Sequence, residues 1–273
     1  MRILRFDTRK LLALLAVVIG LVMIFPIYLL VVSSMRSEAH VLDVTWFPVE
    51  FAWNNFKEAV QSTHLLRSIG NSLIVSVTVT VVAMIFHAMS GYALARLQFP
   101  GRKFVFAWML STLMVPFAVI TIPLYLITKS FGMLDSYAGL IIPSIFNAYG
   151  IFLFRQFYRD FPKELEEAAY IEGLSIAGTF FRIALPLSRS IIIPLTIGFF
   201  VANWNAYLWP LIITQSEKLW VVQQQLANLV GGGYYTPWNV VLAAAVIAAL
   251  PTLLLFFVAQ RYLVEGIKMT GIK

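Results

Sequence analysis

The sequence contains no cysteine, which excludes disulfides, thiolate metal sites and cysteine nucleophiles and leaves the redox compartment unreadable. It is also poor in charge: only 12% of its 273 residues are Asp, Glu, Lys or Arg, about half the share of an ordinary soluble domain. Histidine is equally sparse. His40, His64 and His87 are scattered, with no carboxylate beside them in an apolar stretch, so the side-chain cluster that a membrane-embedded enzyme needs at one depth is missing. No Gly-x4-Gly-Lys-Ser/Thr phosphate loop occurs either, and the sequence therefore offers no nucleotide-hydrolysing site of that kind.

Apolar residues take the place of charge, at 60% of the chain with a mean hydropathy of +0.83. A helix needs about 20 apolar residues to cross the roughly 30 Å of bilayer hydrocarbon. Six stretches meet that length: Leu11–Val32, Ser68–Ala95, Phe104–Thr128, Ser136–Phe154, Ser190–Ser216 and Asn239–Gln260, none containing Asp, Glu, Lys or Arg. The expectation is an all-α membrane protein of six transmembrane helices, forming one domain over residues 1–273. Ion-coupled secondary transporters and channels normally place acids or bases within their spans, and these six stretches hold none.

The net charge is +7. Its twenty Lys and Arg residues lie in short clusters between the apolar runs, a topological bias rather than a nucleic-acid footprint. Fifteen fall on the N-terminal tail, the second and fourth connections and the C-terminal end; five, namely Arg36, Lys57, Arg67, Lys129 and Lys218, fall on the other side. The excess predicts that both termini are cytoplasmic. The first run is too long for the apolar region of a signal peptide, and no small-x-small cleavage site follows it, so it is expected to remain as a helix.

Outside, the first connection carries Trp46, Phe47, Trp53 and Phe56, residues suited to the membrane interface. The last outer connection, about residues 217–238, contains Gly231, Gly232, Gly233, Tyr234 and Tyr235. A mobile glycine run beside aromatics suits contact with a partner protein and equally suits no contact at all.

The longest cytoplasmic segment, about residues 155–189, predicts two short helices. Pro162 is tolerated in a first turn, Glu164, Glu166 and Glu167 sit near the positive end of the helix dipole, and Gly173 can stop the helix. Ser175 then caps a second helix through Phe180 and Phe181, expected to end before Pro186. On the first helix Leu165, Ala168, Ala169 and Glu172 share a face of little bulk. Helices that rest on membranes usually set large apolar residues against Lys and Arg; acids and alanines instead favour docking into a protein groove.

Glu167-Ala168-Ala169, Gly173 with nine residues between it and Ile183, and then Leu185-Pro186 resemble the EAA loop of permease subunits in binding-protein-dependent ABC importers. Gly91-Tyr92-Ala93-Leu94-Ala95-Arg96, Trp204-Asn205-Ala206-Tyr207-Leu208-Trp209-Pro210 and Gln260-Arg261-Tyr262-Leu263-Val264-Glu265-Gly266 look like the carbohydrate branch, in particular the smaller maltose-type permease subunit. The resemblance covers nearly the whole chain and implies a type I ABC importer fold, with the EAA loop as the coupling helix. It also implies the partners: a second homologous permease, two ATPase subunits that bind ATP and magnesium, and an extracytoplasmic solute-binding protein. The chain itself would be no enzyme and would bind no cofactor or metal. Its site would lie in the bacterial or archaeal inner membrane.

On that resemblance Glu167, Ala168, Ala169, Gly173, Ile183, Leu185 and Pro186 couple to the ATPase, with Glu167 as the charged contact. The residues from Gly231 to Trp238 reach toward the binding protein. The cargo would be a sugar, an oligosaccharide or a polyol, with glycerol phosphate as the alternative and a secondary transporter a distant one. For the pathway, Asn203 and Asn205 are amides at mid-depth that need partners, whether another helix or a sugar. Tyr207, Asn147 and Tyr149 are further candidates, and His87 reads as packing or a single hydrogen bond. Pro194 and Pro210 would interrupt the fifth span, as a moving gate or as static bends.

Overall fold

The computed structural model describes residues 8–41, 43, 45–47, 50–231 and 236–270, with backbone only for 8, 261 and 263–270. The chain forms two compact units: residues 1–66 with 225–250, and residues 67–224 with 251–273. Among the described residues all regular structure is helical.

The first unit opens with α1 (Thr8–Ser34), whose apolar window is 6% buried, so nearly all of its Leu, Val and Ile surface faces outward. The chain then turns through Glu38–His40 into α2 (Asn54–Gln61). Asn55, on α2, donates to the carbonyls of Ser34 (2.9 Å) and Arg36 (2.7 Å) and accepts from the amide of Asn239 (2.9 Å). Arg36 is itself buried and donates to the carbonyls of Asp43 and Thr45. These bonds satisfy the polar groups where α1 ends and fix the turn that follows.

The second unit is organised on α3 (Leu65–Arg96), 32 residues long. It continues through α4 (Arg102–Thr112), α5 (Phe117–Ser130), α6 (Tyr137–Ile145), α7 (Ala148–Arg159), α8 (Lys163–Ile171), α9 (Ile176–Thr179), a π-helical turn at Phe180–Ala184, α10 (Leu185–Leu187), α11 (Arg189–Trp204) and α12 (Leu208–Ile213). The unit boundaries fall inside α3, α13 (Val222–Gly231) and α14 (Trp238–Thr270). One core cluster joins Ala88 and Tyr92 of α3 to Phe154 and Tyr158 of α7, Phe180 and Ala184 of the π turn, and Leu195 of α11. A second joins Val75 and Val79 to Leu140 of α6 and to Trp209 and Ile213 of α12. Trp209 also donates its indole N–H to the Gly139 carbonyl at 3.0 Å.

Small residues set how closely α3 and α7 cross. A Cβ on Gly91 would stand 2.5 Å from the Phe154 Cβ and 2.8 Å from the Arg155 backbone nitrogen, and one on Gly150 would overlap the His87 imidazole. His87 both packs, its ring 5.1 Å from that of Phe199, and accepts through Nε2 from the Asn147 N–H at 3.1 Å.

Among the described residues four helical stretches are long and apolar enough to cross a membrane, and the number rises to six if each of two bent pairs counts as one span. The third expected span is not one helix. Residues 113–116 break it, and α4 and α5 meet at 106°, because Pro116 biases the residue before it away from the helical region and starts α5 afresh. The fifth is also divided: α11 runs for 16 residues, roughly 24 Å, and stops at Trp204 before α12. The interruption lies at Asn205–Tyr207, away from either proline. Pro194 is accommodated inside α11, and Pro210 sits in the first turn of α12, where its missing N–H costs little.

Candidate functional site

The loop between α7 and α11 is fixed at both ends of its first helix. Pro162 stands at the N-cap of α8, and Glu164 and Glu166 occupy its first turn, where the helix dipole favours acids. At the other end Gly173 adopts φ +80°. Its N–H bonds the Tyr170 carbonyl at 3.0 Å, and the Leu174 N–H bonds the Ala169 carbonyl at 2.9 Å. This is a Schellman termination, which a glycine enters without the steric penalty of a Cβ. Ser175 then caps α9 by accepting from the Gly178 N–H at 3.1 Å.

The second short helix does not end before Pro186. It widens into the π turn, the Leu185 N–H reaches back five residues to the Phe180 carbonyl, and the chain passes through Pro186 in α10 before bending by 76° into α11. The wider turn lets the proline follow without a four-residue bond to its nitrogen. At the bend Ser188 is fully buried; its hydroxyl donates to the Ala184 carbonyl at 2.6 Å and shares a 3.0 Å hydrogen bond with the Tyr158 hydroxyl.

Two faces of α8 do different things. Ala169 and Glu166 point inward, whereas Glu167 and Ala168 are exposed. Around them Leu165, Tyr170, Ile171, Ile176 and Phe181 also lie open, Ile171 to 86%. An acid and a small residue are thus framed by exposed apolar side chains at the end of the unit where α3 terminates. Ile183 and Leu185 are half-buried in the support beneath, and Pro186 is exposed.

The inward acid is the pivot. Glu166 Oε2 lies 3.3 Å from Nε of Arg96, the last residue of α3, with side-chain exposures of 9% and 10%. Arg96 also donates from Nη2 to the Phe161 carbonyl, so one guanidinium holds both the entry to α8 and its first turn. The buried Tyr92 hydroxyl stands within reach of Glu166 and Tyr170, without a hydrogen bond of ordinary geometry. Its ring packs against Tyr158 and Phe180 at 5.3 and 5.2 Å. A polar cavity of about 360 Å³ opens beside the pair, lined by Arg96, Arg102, Lys163, Glu166, Glu167 and Tyr170. Sequence reasoning singled out Glu167 and passed over Arg96, Glu166 and Tyr92. The available signal was that Arg96 is the first charge after a long uncharged run and must find a partner at the end of its helix.

The pathway candidates are not gathered in one place. Asn203 donates to the Phe199 carbonyl of its own helix at 2.8 Å, which differs from the expected partner on another helix or a sugar. Asn205 accepts from Gln223 at 3.1 Å, and Tyr207 is 42% exposed at the α11 to α12 interruption. Asn147 instead caps α7, accepting from the Tyr149 N–H at 2.9 Å, and Tyr149 is exposed. Within the last outer connection residues 222–231 form the ten-residue helix α13, which ends at Gly231. Gly232, Gly233, Tyr234 and Tyr235 lie outside the described residues. α13 is anchored at its start: the Val222 N–H bonds the Ser72 hydroxyl at 2.8 Å, and Gln224 bonds the Thr214 hydroxyl at 2.9 Å.

Apolar helices long enough to cross a bilayer, joined to a helical loop that exposes an acid among apolar side chains, fit a multi-span membrane component. A family profile described as "Binding-protein-dependent transport system inner membrane component" matches residues 87–269, and the chain belongs to that family. It is 31% identical over 260 residues to the arabinooligosaccharides transport system permease protein AraQ of Halalkalibacterium halodurans, covering 93% of each chain. It is 33% identical over 267 residues to the sn-glycerol-3-phosphate transport system permease protein UgpE of Brucella abortus, covering 94% of this chain and 95% of that one. Among solved structures, a bacterial ABC transporter involved in the import of the acidic polysaccharide alginate superposes with a TM-score of 0.83 at 22% identity, over 96% of this chain and 99% of that one. The fold is accordingly that of an ABC importer permease of type I, and the chain is a transport permease subunit of the inner membrane.

Proposed function

We propose that this chain is one of two permease subunits of an ATP-driven importer that takes up a sugar or sugar-like solute delivered by a separate binding protein. The observation that carries the reading is the α8 loop: an exposed Glu167 and Ala168, framed by apolar side chains, on a helix tied by Glu166 to the end of a membrane-spanning helix. In this reading two ATPase subunits, which hold the ATP and magnesium, receive that face in a groove. Their closure moves α8, and the Arg96 to Glu166 contact passes the displacement to α3. Glu167, Ala168, Ala169 and Gly173 form the docking helix and its stop; Ile183, Leu185 and Pro186 form the support. Both termini and the α8 loop are cytoplasmic, in keeping with the excess of Lys and Arg on that side.

Cargo is a carbohydrate or a polyol phosphate, since relatives named for an arabino-oligosaccharide and for sn-glycerol 3-phosphate match at nearly the same identity. Asn203, Asn205, Tyr207 and Asn147 are the pathway candidates, and residues 231–235 face the binding protein. The test is uptake of labelled arabino-oligosaccharide and of labelled glycerol 3-phosphate by cells with and without this chain. ATP-dependent uptake of one that disappears with the chain is the expected result; unchanged uptake of a panel of sugars and polyol phosphates overturns the substrate class.

A further inference from the structure

A second cavity, apart from the α8 face, lies among α3, α4 and α7. It measures about 520 Å³, and its wall is mostly apolar, with Leu94, Val105, Trp108, Met109, Phe146 and Ile151 among its lining residues. Trp108 and Phe146 are about two-thirds exposed at its edge. The cavity therefore opens outward from a surface built for lipid, and its rim carries the aromatic side chains favoured at a membrane interface.

The lining itself holds no charged residue, and cations lie one helical turn beyond it. Arg102 lies one helical turn before Val105 on α4, and Arg155 lies one turn after Ile151 on α7. Arg155 Nε bonds the carbonyl of Leu94, itself a lining residue, at 3.4 Å, and its guanidinium sits 3.7 Å from the centroid of the Phe106 ring. It feels the like charges of Arg102 and Arg159. Lys103 adjoins, exposed, beside a shallower depression that Arg102 also lines. Among the described residues none of these four cations is in an ion pair. No acid lines this cavity or the shallower depression, although Arg102 also lines the polar cavity of Glu166 and Glu167; like charges repel one another, and a bound anion relieves that repulsion.

We propose that this cavity is a binding site for an anionic phospholipid, with an acyl chain between α4 and α7 and the phosphate held by Arg102, Lys103 and Arg155. Charge complementarity selects the anionic headgroup over a neutral one, and the apolar wall one turn away selects a lipid over a soluble phosphate. Basic pockets between membrane helices are suited to such headgroups. The site lies at the end of α3 that holds Arg96, so an occupied headgroup sits beside the base of the α8 loop. Asn147, one of the pathway candidates, also lines this cavity, so a lipid seated there places Asn147 on the lipid-facing side of the chain and not on the pathway.

The test is native mass spectrometry of the full chain, purified in mild detergent and titrated with phosphatidylglycerol or with phosphatidylcholine of the same acyl chains. Phosphatidylglycerol is expected to be retained at least tenfold over phosphatidylcholine. Arg102→Gln and Lys103→Gln should each weaken that retention about fivefold. Ala93→Phe, which fills the cavity without touching a charge, should weaken retention of both lipids. Equal retention of the two lipids, or indifference to all three variants, overturns the site. Displacement of the lipid by inorganic phosphate, with no effect of Ala93→Phe, overturns it in favour of a soluble anion. Loss of a co-purifying protein in the charge variants, with lipid retention intact, overturns it in favour of a protein interface.

Discussion

Arg96 and Glu166 are 70 positions apart in the chain and meet as an ion pair of 3.3 Å, nearly closed to solvent, between the end of α3 and the first turn of α8. The next residue, Glu167, points out to solvent. Adjacent acids on one short helix are thus placed differently: one holds the helix to the end of α3, and the other is open to solvent, where the proposed partner would meet it.

Arg96→Ala should leave Glu166 as an uncompensated buried charge, at a cost of roughly 3–5 kcal/mol. The expected outcome is a large fall in thermal stability in detergent, with partial recovery on adding Glu166→Gln. Glu167→Ala should leave stability unchanged and reduce transport, and Glu167→Lys should uncouple ATP hydrolysis from uptake. Thermal unfolding and uptake, measured on the same preparations, separate the two roles; wild-type uptake by Glu167→Lys contradicts the assignment.

The termination of α8 gives a sharper test of backbone geometry. Gly173 holds φ +80° with nothing within 4 Å of a Cβ placed there, so Gly173→Ala meets no clash and suffers only the left-handed strain of about 1 kcal/mol. Stability should fall by that small amount, while Gly173→Asn, which tolerates this conformation better, should fall less. Circular dichroism melts compare the two.

The α3 and α7 crossing has no such tolerance. Gly91→Leu drives a side chain into the Phe154 Cβ and the Arg155 backbone, and overpacking of this kind costs about 1–3 kcal/mol or more. Accumulation of the full-length chain in membranes should drop sharply, whereas Gly70→Ala, with nothing within 4 Å of the added atom, should leave it unchanged. Quantitative immunoblotting of membrane fractions checks the pair.

Asp135 pins the turn between α5 and α6 to the segment after α12. Its carboxylate accepts from the N–H groups of Ser216 (3.0 Å) and Gln215 (2.9 Å) and from the Ser216 hydroxyl (3.1 Å). The Ser216 amide first, and then the Gln215 amide, hold its pKa below the usual 3.8. A depressed carboxyl contributes stability that is fully present above the unfolded value and is lost as pH falls through the folded one. The stability difference between wild type and Asp135→Asn should therefore be constant from pH 7 to about 4 and narrow below it. A difference that grows on acidification contradicts the pin.

Much of this arrangement was legible in the sequence because it depends on local chemistry. Pro162, Gly173 and Ser175 mark the boundaries of α8 and α9 through backbone rules that need no distant partner, and uncharged runs mark α1, α3 and α14. The bends were not. Residues 113–116 are as apolar as their surroundings, so hydropathy runs through the 106° break without a change, and the end of α11 at Asn205 is equally silent. Helix α13 is not marked in the sequence, because it runs into the Gly231-Gly232-Gly233 stretch and its anchors, Ser72 and Thr214, lie elsewhere in the chain. The Arg96 to Glu166 pair was illegible for the same reason: only tertiary packing brings the two residues together.

The absence of cysteine makes the most direct test simple, since Ala168→Cys introduces the single thiol of the chain on the exposed face of α8. A heterobifunctional cross-linker of short reach would be attached there in native membranes, and the cross-linked partner identified by mass spectrometry with and without ATP. The account predicts a nucleotide-binding ATPase subunit as the product, in a yield that changes with ATP. A thiol that captures no protein, or captures only a partner without a nucleotide-binding site, would contradict it.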